Sequence, residues 1–279
     1  PKRILEHFIL MGTSTVSDIA KNIDVSLPTA AAALNDLMVH GLVKEVGKKE
    51  TSTGRIPMLY DLNPKAGYFI GANPEMSHLA LTATDFCGHP IVDKTSVPYH
   101  YENTVDNLEQ MGQILNQFID SLPVKREDIL NVCVNIAERV NAHEGKTYTI
   151  FSFNDEPLTD RISKMIDLPV CIENDTRSMT YAEFIKGSCR GLKDVIFVNV
   201  CWGIGIGIII AGKLYYGKSG YSGEFGHNPA YNNNIICHCG KIGCIETETS
   251  GRALKRKLTE ALLQGKQSVL SDKVVNRHE

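Results

Sequence analysis

The sequence has no excess of charge of one sign. Its 29 lysine and arginine residues stand against 32 aspartate and glutamate residues, which gives a net charge of −3. An overall basic field would point to nucleic acid or an acidic membrane as partner, and this chain has no such field. Any binding to DNA must therefore come from a local patch.

Cysteine is also scarce, and signs of export are lacking. Eight cysteines in 279 residues are too few for a disulfide scaffold. The first ten residues, which begin with Pro1, lack the order of charged, apolar and small residues found in a signal peptide. We therefore expect a cytoplasmic protein with reduced thiols. Internal repeats and low-complexity segments are absent as well, which is typical of a folded globular chain.

One long apolar run, residues 195–212, has to be tested as a membrane span. Asn199 interrupts it, glycines alternate along it, and β-branched residues dominate it. These features favour two buried strands joined by a glycine-rich bend, with a transmembrane helix as the weaker alternative.

Residues 1–62 are predicted to form a winged helix-turn-helix domain. A helix over 17–23, a tight turn and a second helix over 26–38 make the helix-turn-helix, and strands over 42–46 and 58–62 flank a basic loop, the wing. The second helix would enter the major groove of DNA, and the wing would hold the phosphate backbone. The predicted DNA-binding residues are Ser26, Pro28, Thr29, Ala30, Asn35, Lys48, Lys49 and Arg55. Because the second helix is poor in lysine and arginine, a purely structural winged helix remains the alternative.

Residues 63–279 are predicted to form an α/β domain. Three successive strands over 68–71, 79–85 and 90–98 suggest a meander, and helices then alternate with strands up to residue 200. The last predicted helix covers 252–263.

The motif with the most specific chemistry is a group of three cysteines and a histidine. Cys237, Cys239 and Cys244 share one glycine-bearing loop, and His227 precedes it. Three thiolates and an imidazole form a closed tetrahedral set, which zinc prefers at structural sites. We predict one structural zinc ion per chain. The alternatives are ordinary buried cysteines, or His238 as a competing ligand.

This loop resembles the zinc-site signature of the ROK family of repressors and sugar kinases. The signature runs Gly-Glu-Phe-Gly-His from residue 223 and continues as Cys-x-Cys-Gly-x-x-Gly-Cys-x-Glu to Glu246. The resemblance, which includes Glu173-Asn174-Asp175, implies an actin-like ATPase (ribonuclease H-like) fold of two α/β lobes. It also implies that 63–279 is a ROK sugar-binding domain whose second lobe is incomplete, its C-terminal part missing.

The resemblance further implies a sugar pocket. Carboxylates, an amide and an imidazole suit the hydroxyl pairs of a sugar ring. Viewed alone, Glu173-Asn174-Asp175 is equally well interpreted as a polar strand end that caps the next helix. The sugar-binding residues implied by the family are Asn174, Asp175, Glu224, His227 and Glu246.

Both phosphate loops of the family's kinases are altered in this sequence. The first, which in the family contains an acidic residue followed by two glycines, is Asn73-Pro74-Glu75-Met76-Ser77, and the second is Cys201-Trp202-Gly203-Ile204-Gly205. Bulky residues replace glycines that close backbone approach to ATP requires. The combination indicates sugar binding without phosphorylation, so we predict a non-enzymatic protein.

The function predicted from these features is a transcriptional regulator of carbohydrate-utilisation genes, most simply a repressor. It would bind a near-palindromic operator in double-stranded DNA as a homo-oligomer, a dimer or a tetramer, and respond to a sugar or sugar derivative. It would have no membrane partner. The alternatives are a ROK-family ATP-dependent sugar kinase with an appended DNA-binding domain, and a repressor that answers to a partner protein.

Overall fold

The computed structural model describes residues 1–49 and 56–271 and divides into two compact units. The first unit comprises Pro1–Ser178 and Ala182–Gly191, and the second comprises Met179–Tyr181 and the described chain from Leu192 onward. The predicted boundary at residue 62 lies inside the first unit, so the division into 1–62 and 63–279 stays a prediction.

The mixed α/β content agrees with the predicted fold class. The helices are α1 (Lys2–Met11), α2 (Val16–Asn22), α3 (Leu27–Val39), α4 (Val105–Asp120), α5 (Leu158–Ile166), α6 (Asp175–Ile185), α7 (Glu246–Thr249) and α8 (Gly251–Leu263). The strands are β1 (Val43–Lys48), β2 (Met58–Leu62), β3 (Tyr68–Pro74), β4 (His78–Asp85), β5 (Pro90–Pro98), β6 (Ile129–Ile136), β7 (Val140–Asn141), β8 (Lys146–Thr147), β9 (Val170–Asn174), β10 (Val195–Val200), β11 (Ile204–Ile210) and β12 (Lys213–Leu214).

The N-terminal part of the first unit contains three helices and a two-stranded antiparallel sheet, which include the two helices and the two strands that the sequence predicted. Helix α2 begins with a capping box, in which the Thr15 hydroxyl accepts from the Asp18 N–H and the Asp18 carboxylate accepts from the Thr15 N–H. The Ser26 hydroxyl caps α3 by accepting from the N–H of Thr29. These elements enclose a hydrophobic core of their own, formed by Ile4, Phe8, Ile19, Ala20, Ala30, Leu34, Leu37, Val43 and Leu62.

The prediction that Ala30 is an exposed DNA-contacting residue is wrong. Ala30 is only 1% exposed and belongs to this core. It lies four residues before Leu34 on α3, so both side chains face the same side of the helix. A side chain on that stripe packs inward and has no access to a DNA groove.

The N-terminal core provides a direct stability prediction. Leu34 is buried, whereas the neighbouring Asn35 is exposed. We expect Leu34→Ala to lower the free energy of unfolding of this part by about 2–5 kcal/mol, because it removes buried methyl groups and leaves a cavity. Asn35→Ala should change it by less than about 0.5 kcal/mol. Urea unfolding of both variants, followed by hydrogen exchange of α3 amides, checks the difference.

A five-stranded sheet forms the centre of the first unit. Its order is β5-β4-β3-β6-β9, in which β3, β4 and β5 make the predicted antiparallel meander and β6 and β9 run parallel to β3. Alternate residues of β6, namely Val132, Val134 and Ile136, are buried in one core with residues of α4 and α5. This packing places the carboxyl end of β9 next to the start of α6, where Asn174 and Asp175 lie.

The second unit contains a three-stranded sheet of order β10-β11-β12 and the helices α7 and α8. The strands and bend predicted within 195–212 are confirmed, but the prediction that both strands are buried is wrong. Every second residue of β10 points to solvent, and Ile196 is 70% exposed. Within 1–49 and 56–271, no helix combines the length and the apolar character that crossing a bilayer requires.

Candidate functional site

The predicted metal ligands lie together in the second unit. His227 ends a short 3₁₀ helix, Phe225–His227, and the loop that follows folds back so that Cys244 bridges to Pro229. Gly243 has a φ of 71°, and a β-carbon there would collide with the carbonyl oxygen of Tyr231. Glycine is therefore required for the turn that presents Cys244 to the other ligands.

The distances among these four side chains fit a tetrahedral ion. Cys237 Sγ lies 3.5 Å from His227 Nδ1, and Cys239 Sγ lies 3.7 Å from Cys244 Sγ. Bond lengths typical of zinc require about 3.6 Å between sulfur and nitrogen and about 3.8 Å between two sulfurs. All four ligand atoms lie within 4.8 Å of one another. The group could therefore hold a metal ion.

The three thiols have altered pKa values, and the pKa of Cys239 is lowered. Burial raises the pKa of Cys237, and burial together with the neighbouring Cys239 and Cys237 thiols raises the pKa of Cys244 to about 12. Three adjacent thiolates would repel one another without a positive charge among them. A bound dication would stabilise all three in the ionised form that ligates metal.

The two ring nitrogens of His227 have different neighbours. Nδ1 faces the thiol of Cys237, whereas Nε2 lies 3.8 Å from a carboxylate oxygen of Glu224. A metal on Nδ1 would fix the orientation of the ring and leave Nε2 on the side of Glu224.

Glu246 begins α7 and is buried, with only 5% of its surface exposed. One carboxylate oxygen accepts from the Ile204 N–H at 3.0 Å, and the other lies 2.9 Å from His238 Nδ1 and 3.6 Å from the guanidinium of Arg252. Burial alone would raise its pKa, but the His238 and Ile204 contacts outweigh burial and lower the pKa. Glu246 is therefore a preorganised, ionised acceptor at neutral pH.

Two cavities adjoin these carboxylates within the second unit. One, of about 170 Å³, is lined by Cys237, His238, Glu246 and Arg252 among others. The other, of about 270 Å³, is lined by Glu224 together with Ile206, Tyr221 and Asn228. The first combines a carboxylate with mainly apolar walls, an arrangement that suits a small polar ligand, whereas the walls of the second are mainly polar.

Asn174 and Asp175 belong to the first unit. The Asn174 side chain caps α6 by accepting from the Arg177 N–H at 3.0 Å, and it donates to the carbonyl of Glu138 at 3.2 Å. Asp175 accepts from the Thr176 N–H at 2.6 Å, and burial raises its pKa above the usual range. The helix-capping interpretation of this motif is thus correct for Asn174, and Asp175 is a half-buried carboxylate.

This group also contains His238, which the sequence suggested as a competing ligand, and Arg252, which it did not single out. The Nδ1 atom of His238 contacts Glu246 and lies 3.8 Å from Cys237 Sγ. Arg252 Nη1 lies 2.9 Å from the same ring nitrogen. The position of His238 between two ligating cysteines was the only available signal, and Arg252 is part of no motif.

The loops compared with kinase phosphate loops are both strand-to-strand turns. Residues 75–77 join β3 to β4, and the Glu75 carboxylate faces Asn73 at 3.2 Å and His78 at 3.3 Å. Residues 201–203 join β10 to β11, where the Cys201 N–H donates to the carbonyl of Gly203. Both segments thus lie at turns between successive strands, and the loss of the phosphate loops stays a prediction.

Apart from Arg55, the remaining predicted DNA-binding residues lie at the start of α3, on α3 and at the end of β1. Ser26, Pro28, Thr29 and Asn35 are exposed on α3. Lys48 and Lys49 are exposed at the end of β1, and Lys49 lies 3.6 Å from the Asp18 carboxylate. Arg55 lies outside the described residues.

Comparison with known proteins gives one family. The model of the ROK family matches residues 86–278. The xylose repressor of Bacillus spizizenii is 28% identical over 260 residues, which are 92% of this chain and 67% of that protein. The chain thus spans about two thirds of the length of this curated relative.

Solved structures similar to the chain include a transcriptional regulator and a sugar kinase. A ROK family transcriptional regulator, described as a homologue of the E. coli MLC protein, has a TM-score of 0.77 at 22% identity and covers 97% of this chain and 69% of its own. A ROK family glucokinase from Streptomyces griseus, with glucose and AMPPNP, has a TM-score of 0.61 at 27% identity, covering 71% of this chain and 62% of its own.

The family model, the curated relative and the solved structures all point to the same family. The family model alone covers more than half of the sequence. The chain belongs to the ROK family and has its actin-like sugar-kinase fold.

Proposed function

We propose that this chain is a carbohydrate-responsive transcriptional repressor that binds operator DNA through its N-terminal helices. The observation that carries the proposal is that transcriptional regulators match a larger share of this chain than a sugar kinase does. The xylose repressor and the ROK regulator match 92% and 97% of the chain, whereas the glucokinase matches 71%. The larger share includes an N-terminal part with its own core, which a sugar kinase does not need.

The proposed DNA-binding domain is a winged helix-turn-helix over residues 1–62. Helix α3 would enter the major groove, with Thr29 and Asn35 on its exposed side. Asparagine can make a bidentate contact with adenine, whereas Ser26 and Pro28 lie at the helix start, where backbone N–H groups approach phosphate. Two copies of the chain would bind the two halves of a near-palindromic operator.

The wing is proposed to contribute affinity without sequence specificity. We expect the double variant Lys48→Ala, Arg55→Ala to bind operator more weakly at every sequence and to reduce the slope of log K against log salt by about 2, because two phosphate contacts are lost. Fluorescence anisotropy with labelled duplex over a salt series measures this slope. Lys125→Ala, which removes an exposed charge elsewhere in the first unit, is the control. An unchanged slope in the double variant would contradict the wing assignment.

The effector is proposed to be a sugar or sugar derivative. In the second unit, Glu224, His227 and Glu246 offer acceptors and a donor to sugar hydroxyls. In the first unit, the predicted sugar-binding residues Asn174 and Asp175 offer an amide and a carboxylate with the same chemistry. The bound sugar would shift the balance between DNA-competent and incompetent states by the difference in its affinity for the two.

The metal is proposed to be a structural Zn²⁺ held by His227, Cys237, Cys239 and Cys244. A set of three thiolates and one imidazole has no open position, so the ion would hold the loop rather than react with substrate. Its place next to Glu224 gives it a second role, because the ligated ring of His227 presents Nε2 to that carboxylate.

A sugar kinase is the second candidate, since a glucokinase shares the fold of most of the chain. We propose that the chain lacks this activity. Where ATP phosphates would need close backbone approach, the first turn carries the negative charge of Glu75 and the second carries the bulk of Trp202. Turnover of ATP with pentoses, hexoses and acetylated amino sugars would contradict the proposal.

Selection of DNA from a random pool tests the proposed DNA binding. The full chain should enrich a near-palindromic sequence, and an Asn35→Ala variant should lose about 1–3 kcal/mol of discrimination at one base position. Enrichment of no sequence would contradict the proposal. Since Asn35 is exposed, the variant should unfold at the same urea concentration as the unsubstituted chain.

A further inference from the structure

A second group of metal-ligating side chains lies in the first unit, at the turn between β4 and β5. Asp85 ends β4, and Cys87 and His89 follow at alternate positions before β5 begins. Gly88, with a φ of 74°, allows the chain to turn there. A carboxylate, a thiol and an imidazole thus come from five consecutive residues.

Hydrogen bonds within the turn orient Asp85 for ligation. One carboxylate oxygen accepts from the N–H groups of Cys87 and His89, both at 2.9 Å. The other lies 3.2 Å from His89 Nδ1. Two ligands of a tetrahedral zinc ion, each about 2.0–2.1 Å from the metal, are about 3.3 Å apart. The oxygen and the nitrogen are therefore already at the separation that a shared ion requires.

The thiol of Cys87 completes the group. One ligand atom from each of the three residues lies within 4.8 Å of the other two. The thiol is oriented toward the carbonyl oxygen of Leu62, 3.6 Å away, which is a weak contact that a metal bond would replace. A simple aspartate–histidine pair in a turn would account for the first two residues without involving the cysteine.

Two carboxylates and two ammonium groups surround the Cys87 thiol, so the turn has no net charge that would attract a cation by itself. The groups that act on the Cys87 thiol are the carboxylates of Asp85 and Asp61 and the ammonium groups of Lys44 and Lys186. Lys186 donates to the backbone carbonyl of Cys87 at 3.1 Å. A dication would add attraction to both carboxylates and displace the thiol proton to solvent.

We propose that Asp85, Cys87 and His89 form a second metal site, which takes a borderline divalent cation such as Zn²⁺. Imidazole, thiolate and carboxylate together favour zinc over magnesium or calcium, which prefer oxygen ligands alone. Three protein ligands leave the fourth position to water. The site is therefore expected to bind zinc more weakly than the closed set at Cys237, Cys239 and Cys244.

The turn between β4 and β5 contacts the N-terminal core, so a metal bound there would affect this contact. Phe86 and Cys87 pack against the N-terminal core, and the Phe86 N–H donates to the carbonyl of Pro64 at 3.2 Å. The turn thus contacts the segment that leads from β2 into β3. A metal bound there would make the contact between the N-terminal helices and the central sheet more rigid.

Zinc stoichiometry of the full chain tests the proposal. The chain is stripped with a chelator, dialysed against excess Zn²⁺ and analysed by mass spectrometry for metal and protein. We expect two equivalents in the unsubstituted chain and one in the double variant Cys87→Ser, His89→Gln. The matched control, Cys189→Ser, removes another half-buried thiol of the first unit and should keep two. One equivalent in the unsubstituted chain, or two in the double variant, would overturn the proposal.

A single variant keeps the test valid should the double variant misfold. The His89 side chain is 67% exposed, so His89→Gln should leave the fold intact. Loss of this ligand should weaken binding of the second Zn²⁺ equivalent by more than about tenfold in a titration. Even the loss of a residue that only hydrogen-bonds to a metal ligand typically lowers metal affinity by about tenfold or more. Equal affinity in His89→Gln and the unsubstituted chain would overturn the proposal.

Discussion

Replacing Cys244 by serine should remove one equivalent of zinc per chain and unfold the loop of the second unit. Cys244 is buried, and its sulfur lies 3.7 Å from that of Cys239. A serine hydroxyl is a poor ligand for zinc, so one variant removes a quarter of the coordination. Structural zinc contributes about 10–16 kcal/mol in zinc-finger peptides, and much of the equivalent energy here should be lost.

The loss of zinc and the unfolding of the loop in Cys244→Ser can be measured by separate experiments. Metal analysis should show the loss of one equivalent, and hydrogen exchange should show rapid exchange of amides from about residue 227 to 250 while the sheet of the first unit stays protected. The control is Cys201→Ser, which replaces an exposed cysteine of the same unit. An unchanged zinc content in Cys244→Ser would mean that these four residues do not hold the metal.

The second large effect is expected for Glu246→Gln, which should abolish the response to the sugar while DNA binding remains. The substitution keeps the shape of the side chain but removes the charge that His238 and Arg252 contact. Hydrogen bonds to a charged group contribute about 1.5–3 kcal/mol, so affinity for the effector should fall by about ten- to hundredfold. Calorimetry with the sugar and anisotropy with the operator measure the two properties.

Glu248→Gln is the matched control for this variant. Glu248 lies two residues away on the same short helix, but its partners are Lys257, Arg256 and Asn233. Its neutralisation should leave effector affinity within about twofold, because neither Glu248 nor these partners are among the proposed sugar contacts. Equal losses in both variants would indicate a general disturbance of α7 and α8 rather than a lost sugar contact.

The sequence predicted most elements because their periodicity is strong. Strands β2 and β5 have the predicted bounds, and β4 begins one residue earlier than predicted, because β-forming segments bounded by glycine, proline or asparagine leave little ambiguity. Ala30 was misplaced for the opposite reason. It begins a run of four alanines, so composition gives no contrast between the buried and exposed sides of the helix.

Burial of β10 could not be predicted for a different reason. An apolar strand has the same composition whether one or both of its faces are covered, and the exposure of Ile196, Val198 and Val200 depends on which elements pack on the sheet.

The sequence predicted the ligands of the candidate metal site but not the contacts that the neighbouring side chains make. Close spacing of Cys237, Cys239 and Cys244 predicts proximity directly, because a loop of eight residues cannot separate them widely. The contact of His238 with Glu246 depends on how the loop folds back and on rotamers, which spacing does not specify. The Asp85, Cys87 and His89 group belongs to no motif of the family and emerges only from the geometry of the turn.

The most direct test of the proposed function is the effect of sugars on operator affinity. The selected operator duplex is titrated with the full chain, alone and with each of a panel of pentoses, hexoses, acetylated amino sugars and their phosphates. The account predicts that at least one of them changes the dissociation constant by about 5- to 150-fold, the usual range of coupling between two sites. Sequence-specific DNA binding that no sugar alters would contradict the effector role, and the absence of sequence-specific binding would contradict the central claim itself.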